Sequence, residues 1–140
     1  MKLFYLLFIC FSMTSAVMAQ ESWKVTLNDK TVLNTTTEDE EENSVIFKPS
    51  DLKKKRDFIV KYIEKDKKND WERVIVLYDE TDHELTKQKG AQLKIKNSAL
   101  HSLFKNTKKI KVYTWALPTD PKLKAVIRIR RVHLCTLVLQ

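Results

Sequence analysis

The sequence predicts an all-β chain, an antiparallel Greek-key β-sandwich of immunoglobulin-like or cupredoxin-like type, with roughly seven to nine strands and one short helix. Three observations carry that expectation. Short runs rich in Val, Ile, Tyr and Trp alternate apolar with polar residues and are broken by turn residues about every ten positions. No segment offers the helical crossovers that a parallel sheet needs. The chain closes on residues 125–139, AVIRIRRVHLCTLVL, a run rich in β-branched residues without Gly or Pro that stops one residue before the C-terminus. Chain ends fray unless something ties them down, so this apolar terminus is expected to lie within the sheet, with the rest of the chain folded against it.

Residues 1–19 read as a signal peptide. Lys2 precedes the apolar run 3–11, LFYLLFICF, and Val17-Met18-Ala19 suits cleavage after Ala19. The apolar run is shorter than the ~20 residues of a membrane span, and Ile9 before Cys10 is too bulky for lipoprotein processing. The expectation is a secreted or periplasmic protein whose folded part is one domain, residues 20–140, with no transmembrane span after cleavage. Cleavage removes Cys10 and all three Met residues, which leaves Cys135 alone and excludes an intramolecular disulfide.

Within residues 20–140, Trp23, Val25 and Leu27 alternate with Lys24 and Thr26. Asn28-Asp29-Lys30 then turns the chain into residues 31–33, a hairpin. Residues 34–44, NTTTEDEEENS, contain five consecutive acids and no apolar side chain, so they form a solvated loop. Val45-Ile46-Phe47 is a strand stopped by Pro49, and Ser50 and Asp51 open one helical turn. In residues 57–64, Phe58, Val60 and Tyr62 share one face. Residues 71–78 are apolar on both faces, as a central strand is, and residues 84–87 pair back. Gly90, the single Gly of the chain, marks the next turn. Leu93 and Ile95 face inward. Asn97 or Ser98 caps the one short helix, whose Leu100, Leu103 and Phe104 fall at i, i+3 and i+4. Residues 110–117 form the next strand, Pro118 and Pro121 bracket a rigid loop, and 125–139 is the last strand. The alternation of Ile127 and Ile129 with Arg128 and Arg130 slips at Arg131-Val132, which either a β-bulge near Arg130 and Arg131 explains or an edge half, with its arginines in solvent, running into a covered half.

The nearest approach to a chemical motif is His133-Leu134-Cys135. Residues two apart on a strand point the same way, so imidazole and thiol are expected on one face. With His83 or His101 they would make a copper-type site of nitrogen and sulfur donors. Against this, the chain without its leader has no Met for an axial ligand, and only five residues follow Cys135. A buried, inert thiol is the plainer reading. A cysteine nucleophile needs an accessible, electropositive setting, which flanking Leu134 and Leu137 oppose. The acidic turn at Asp79, Glu80, Asp82 and Glu84 lacks the glycine of a calcium loop. A chain with one Gly has neither a phosphate-cradling loop nor a Gly-x-Ser-x-Gly elbow.

Charge is the remaining signal. The chain holds 26 Lys and Arg against 18 Asp and Glu, a formal net charge of +8. The cations cluster at Lys53-Lys54-Lys55-Arg56, at Lys65 with Lys67-Lys68, at Lys108-Lys109 with Lys111, and at Arg128 with Arg130-Arg131. Such surfaces attract nucleic acid, anionic lipid or acidic polymer; with no interleaved aromatics except Tyr113 and Trp115, specific nucleic-acid binding is not expected. The resulting expectation is a non-enzymatic, exported binding module for a protein or an anionic component of the cell envelope, without a cofactor. The alternative is metal binding through His133 and Cys135.

Overall fold

Residues 20–140 are described in this computed structural model of the chain; residues 1–19, with the expected leader, its cleavage point and Cys10, lie outside the described residues. The described residues fold as a β-sandwich of nine strands: β1 (Ser22–Leu27), β2 (Lys30–Thr35), β3 (Ser44–Phe47), β4 (Asp57–Ile63), β5 (Trp71–Tyr78), β6 (Glu84–Lys89), β7 (Gln92–Lys96), β8 (Lys109–Pro118) and β9 (Val132–Leu139). The short helix α1 (Asn97–Leu103) joins β7 to β8, and a single helical turn, α2 (Pro121–Lys124), follows β8. One sheet has the order β2-β1-β4-β7 and the other β3-β9-β8-β5-β6. All pairings are antiparallel except β3 with β9. That parallel pair needs no crossover helix, because most of the chain lies between its two strands.

Local chemistry accounts for the elements. Asn28 and Asp29 take φ of 52° and 65°, which closes the two-residue β1–β2 hairpin. Gly90 takes φ of 104° between β6 and β7. A 3-10 turn, Pro49–Lys53, follows β3; the Asp51 carboxylate accepts the Lys48 N–H at 2.9 Å. Gln88 on β6 uses its side-chain amide as a surrogate peptide group, donating to the Lys94 carbonyl at 3.0 Å and accepting the Lys94 N–H at 2.9 Å. The open edge of β7 is thereby paired.

The core lies between the sheets. Trp23, Val25, Leu27, Phe58, Val60, Tyr62, Leu93 and Ile95 come from the four-stranded sheet. Val45, Phe47, Ile75, Leu77, Ile110, Val112, Leu134, Cys135 and Leu137 come from the other. Burying each large aliphatic side chain contributes about 1.5–3 kcal/mol. Leu52, Leu100 and Phe104 close one end. At the other end the Arg73–Glu64 ion pair is largely buried, and the Arg73 guanidinium lies 4.2 Å from the Tyr62 ring centre. β5 is buried on both faces, as predicted, because Val74, Val76 and Tyr78 form a second cluster on the outer face with Tyr113 and Trp115.

The chain terminus departs from its expected form in two ways. Only Val132–Leu139 is strand; residues 125–131 leave the sheet. The Leu123 carbonyl accepts the N–H groups of Val126 and Ile127, both at 3.1 Å, which turns the chain. Arg130 and Arg131 are then drawn sideways to Glu38 and Asp82. The bulge falls further along than Arg130 and Arg131. Cys135 pairs with Val112 and His133 with Tyr113, so Leu134 is the extra residue. Among the described residues, no helix is long and apolar enough to cross a membrane.

Candidate cationic interface

The bulge decides the fate of the His133–Cys135 pair. An extra residue between them reverses the alternation, so the two side chains point to opposite faces. Cys135 enters the core beside Leu134 and Leu137. Burial pushes its thiol pKa far up, which opposes the thiolate that metal binding or nucleophilic attack requires. His133 lies on the outer face, 5.5 Å from the Tyr113 ring centre, with Nε2 2.8 Å from Thr136 Oγ1. It is 1% exposed, under the acidic loop. His83 is exposed in the β5–β6 turn, 2.7 Å from Thr81 Oγ1, and His101 is exposed on α1. The expected ligands are therefore not brought together. Among the described residues no three His, Cys, Asp or Glu side chains converge to hold a metal ion. In the acidic turn, Asp79 Oδ1 accepts the N–H groups of Thr81 and His83 and the Thr81 hydroxyl, so it organises the turn itself.

The basic cluster 53–56 has a more defined setting. Leu52 is pulled into the core by the 3-10 turn, and the next four side chains are left outside. Their backbone is pinned from below by Asn97, which is 1% exposed. Asn97 Nδ2 donates to the Lys54 carbonyl at 3.1 Å and to Asn28 Oδ1 at 2.6 Å, while Asn28 Nδ2 donates to the Asp51 carbonyl at 3.0 Å. The Asn97 N–H donates to the Arg56 carbonyl at 2.9 Å. Asn97 thus ties the β1–β2 turn, the 3-10 turn and the start of α1 into one rigid corner. The sequence expectation made Asn97 or Ser98 a helix cap. The N-cap is Lys96, without a side-chain bond, and Asn97 has turned inward. Its spacing from Asn28 and Lys54 in sequence hides that role.

The corner frames a recess of about 410 Å³ lined by Leu52, Lys53, Lys54, Lys55, Arg56, Asp57, Lys96, Asn97 and Ser98. Five cations face one acid there. Asp57 is engaged by Lys94 at 3.6 Å, and Arg56 is paired with Asp29. Lys53, Lys54, Lys55 and Lys96 form no ion pair among the described residues. The larger hollows are electrically mixed. One of about 740 Å³ sets Asp79 and Glu80 against Lys105 and Lys108. Another, of about 690 Å³, sets Glu64 and Glu72 against Lys67, Arg73 and Lys89.

Of the other basic clusters, the one at Arg128, Arg130 and Arg131 is partly spent. Arg130 donates to Glu38 at 2.6 Å, and Arg131 to Asp82 at 3.0 Å. Arg131 also lies over the Tyr78 ring, 4.5 Å from its centre. The recess can hold an oxyanion by ammonium donors supplied from a fixed backbone, and its lining contains no imidazole or thiol. Comparison of the chain with protein-family models, with curated proteins and with solved structures returned no match.

Proposed function

We propose that this chain is an exported, non-catalytic β-sandwich that binds an anionic component of the cell envelope through the recess at Lys53, Lys54, Lys55, Arg56 and Lys96. The observation that carries this reading is the one-sided charge of that recess, set on a backbone held by the buried Asn97. A cluster of solvated lysines attracts any polyanion, and salt screens that attraction over about 8 Å at physiological ionic strength. A site with converging ammonium groups keeps part of its grip there, because several donors meet one anionic group at close range.

The test is retention of the full chain on immobilised dextran sulfate. Elution is expected well above physiological salt. The Lys53, Lys54 and Lys55→Gln triple variant should elute near it. A second triple variant, Lys65, Lys67 and Lys68→Gln, removes the same charge elsewhere and should elute like the parent. Equal losses from the two variants would reduce the recess to generic charge and sink the proposal.

A further inference from the structure

The loop between β8 and β9 carries the densest apolar exposure on the described surface. Leu123 is 46% exposed, Val126 78% and Ile129 46%. Single exposed apolar side chains are ordinary; three within seven residues form a ridge. Lys122, Lys124 and Arg128 are interleaved with them, and no acid occurs after Asp120. These three cations form no ion pair among the described residues.

The ridge is held at both ends. Thr119 donates its N–H and its hydroxyl to the Asp70 carbonyl, at 2.8 and 3.1 Å. Asp120 Oδ1 accepts the Lys122 N–H at 2.9 Å. At the exit, Arg130 and Arg131 are tied to Glu38 and Asp82. Ile127 is half-buried, while Val126 and Arg128 on either side of it are exposed. The loop therefore presents its apolar tips without an ordering cost at the moment of contact.

We infer that this loop docks on an anionic lipid surface, with Leu123, Val126 and Ile129 entering the headgroup layer and Lys122, Lys124 and Arg128 facing lipid phosphates. Apolar tips among cations are the pattern of interfacial binding, which scales with apolar area and attraction to anionic lipid. A second copy of the chain is a poor occupant, because it would set these cations against their own kind. A broad protein interface needs a plane larger than three side chains supply. The inference does not rest on the recess: β8 starts beside the recess end of the sandwich and finishes at Pro118, so the loop begins at the opposite end.

The experiment places a polarity-sensitive nitrobenzoxadiazole label at Val126→Cys in a Cys10→Ser background of the full chain, where the buried Cys135 stays unlabelled. On vesicles of phosphatidylglycerol and phosphatidylcholine in equal parts, the emission should move to the blue and rise severalfold. On phosphatidylcholine alone it should not. The same label at Lys54→Cys, in the recess, should stay unshifted, so tethering by the apolar leader is distinguished from docking by the loop. Changing Lys122, Lys124 and Arg128 to Gln should weaken vesicle binding about a hundredfold, at about fivefold for each charge. Leu123→Ser with Ile129→Ser should abolish the shift at position 126. No shift at 126, or an equal shift at 54, overturns the inference. A parent chain that is not retained on dextran sulfate above physiological salt, with the 126 shift intact, would overturn only the role of the recess.

Discussion

The Trp23 indole N–H donates to the Leu134 carbonyl at 2.8 Å, across the core from one sheet to the other. Leu134 is the residue that β8 leaves without a partner, and the indole satisfies one of the polar groups that a bulge exposes. The same bulge turns Cys135 into the core and His133 out of it. One hydrogen bond between sheets therefore accompanies the local twist that separates the two residues nearest to a chemical motif. Trp23→Phe keeps an aromatic ring in place and removes the donor. A buried carbonyl left unpaired costs about 1–3 kcal/mol, and the smaller ring adds a void. Chemical denaturation should show a loss of at least that size with an unchanged slope. No change in midpoint would mean that the bulge does not need the indole.

Much of the architecture was readable from residue order. Trp23, Val25 and Leu27, Leu93 and Ile95, and the doubly buried β5 follow from alternation alone, since one face or two must leave water. The Asn28-Asp29 hairpin and the Gly90 turn follow from residues that tolerate positive φ. The bulge lies beyond the reach of local pattern, because the group that meets its carbonyl is distant: Trp23 lies 111 positions from Leu134. The early end of β9 was hidden for a similar reason, since Ile127 and Ile129 alternate with Arg as strand residues do. What draws this segment out is Glu38 and Asp82, held on other loops. The cationic run was visible at once, but the recess was not, because Asn28 and Asn97 look like ordinary turn and cap residues until the fold joins them.

The acidic loop and the head of β9 give a signed pH dependence. Glu38 Oε1 accepts the His133 N–H at 2.8 Å. Burial disfavours charge on Glu38, yet the His133 N–H bond and Arg130 outweigh it and hold the carboxyl below its ordinary value. Burial also lowers the His133 pKa, opposed by Glu40, Glu38 and Asp39 and reinforced by Lys111. For His133 the unfolded chain binds the proton first. Its stabilising share is therefore complete above the unfolded pKa of about 6.5 and is lost as pH falls through that value toward the folded one. For Glu38 the share is complete above about 4.5 and is lost below it. Melting temperature should thus fall in two stages on acidification. His133→Gln should melt lower at neutral pH but stay flat between about pH 7.5 and 5. Glu38→Gln should cost about 1 kcal/mol at neutral pH, a few degrees, and weaken the lower stage. A His133→Gln variant as acid-sensitive as the parent between pH 7.5 and 5 would rule out this histidine as the source.

The last test concerns β9 itself, which lies between β3 and β8. Removing residues 131–140 deletes Leu134, Cys135 and Leu137, each fully buried. The two leucines alone account for about 3–6 kcal/mol, against a total stability of about 5–15 kcal/mol for an ordinary domain. The deletion also strips the ladder from one side of both β3 and β8, and it leaves the Trp23 indole without its acceptor. Buried backbone groups without partners add to the loss. The shortened chain should show no cooperative melting transition and little dispersion of its amide resonances. Because the loop ridge lies upstream of the cut, a truncated chain that still melted at the parent temperature would place the core elsewhere, in the four-stranded sheet and α1, and would remove β9 from the centre of the fold.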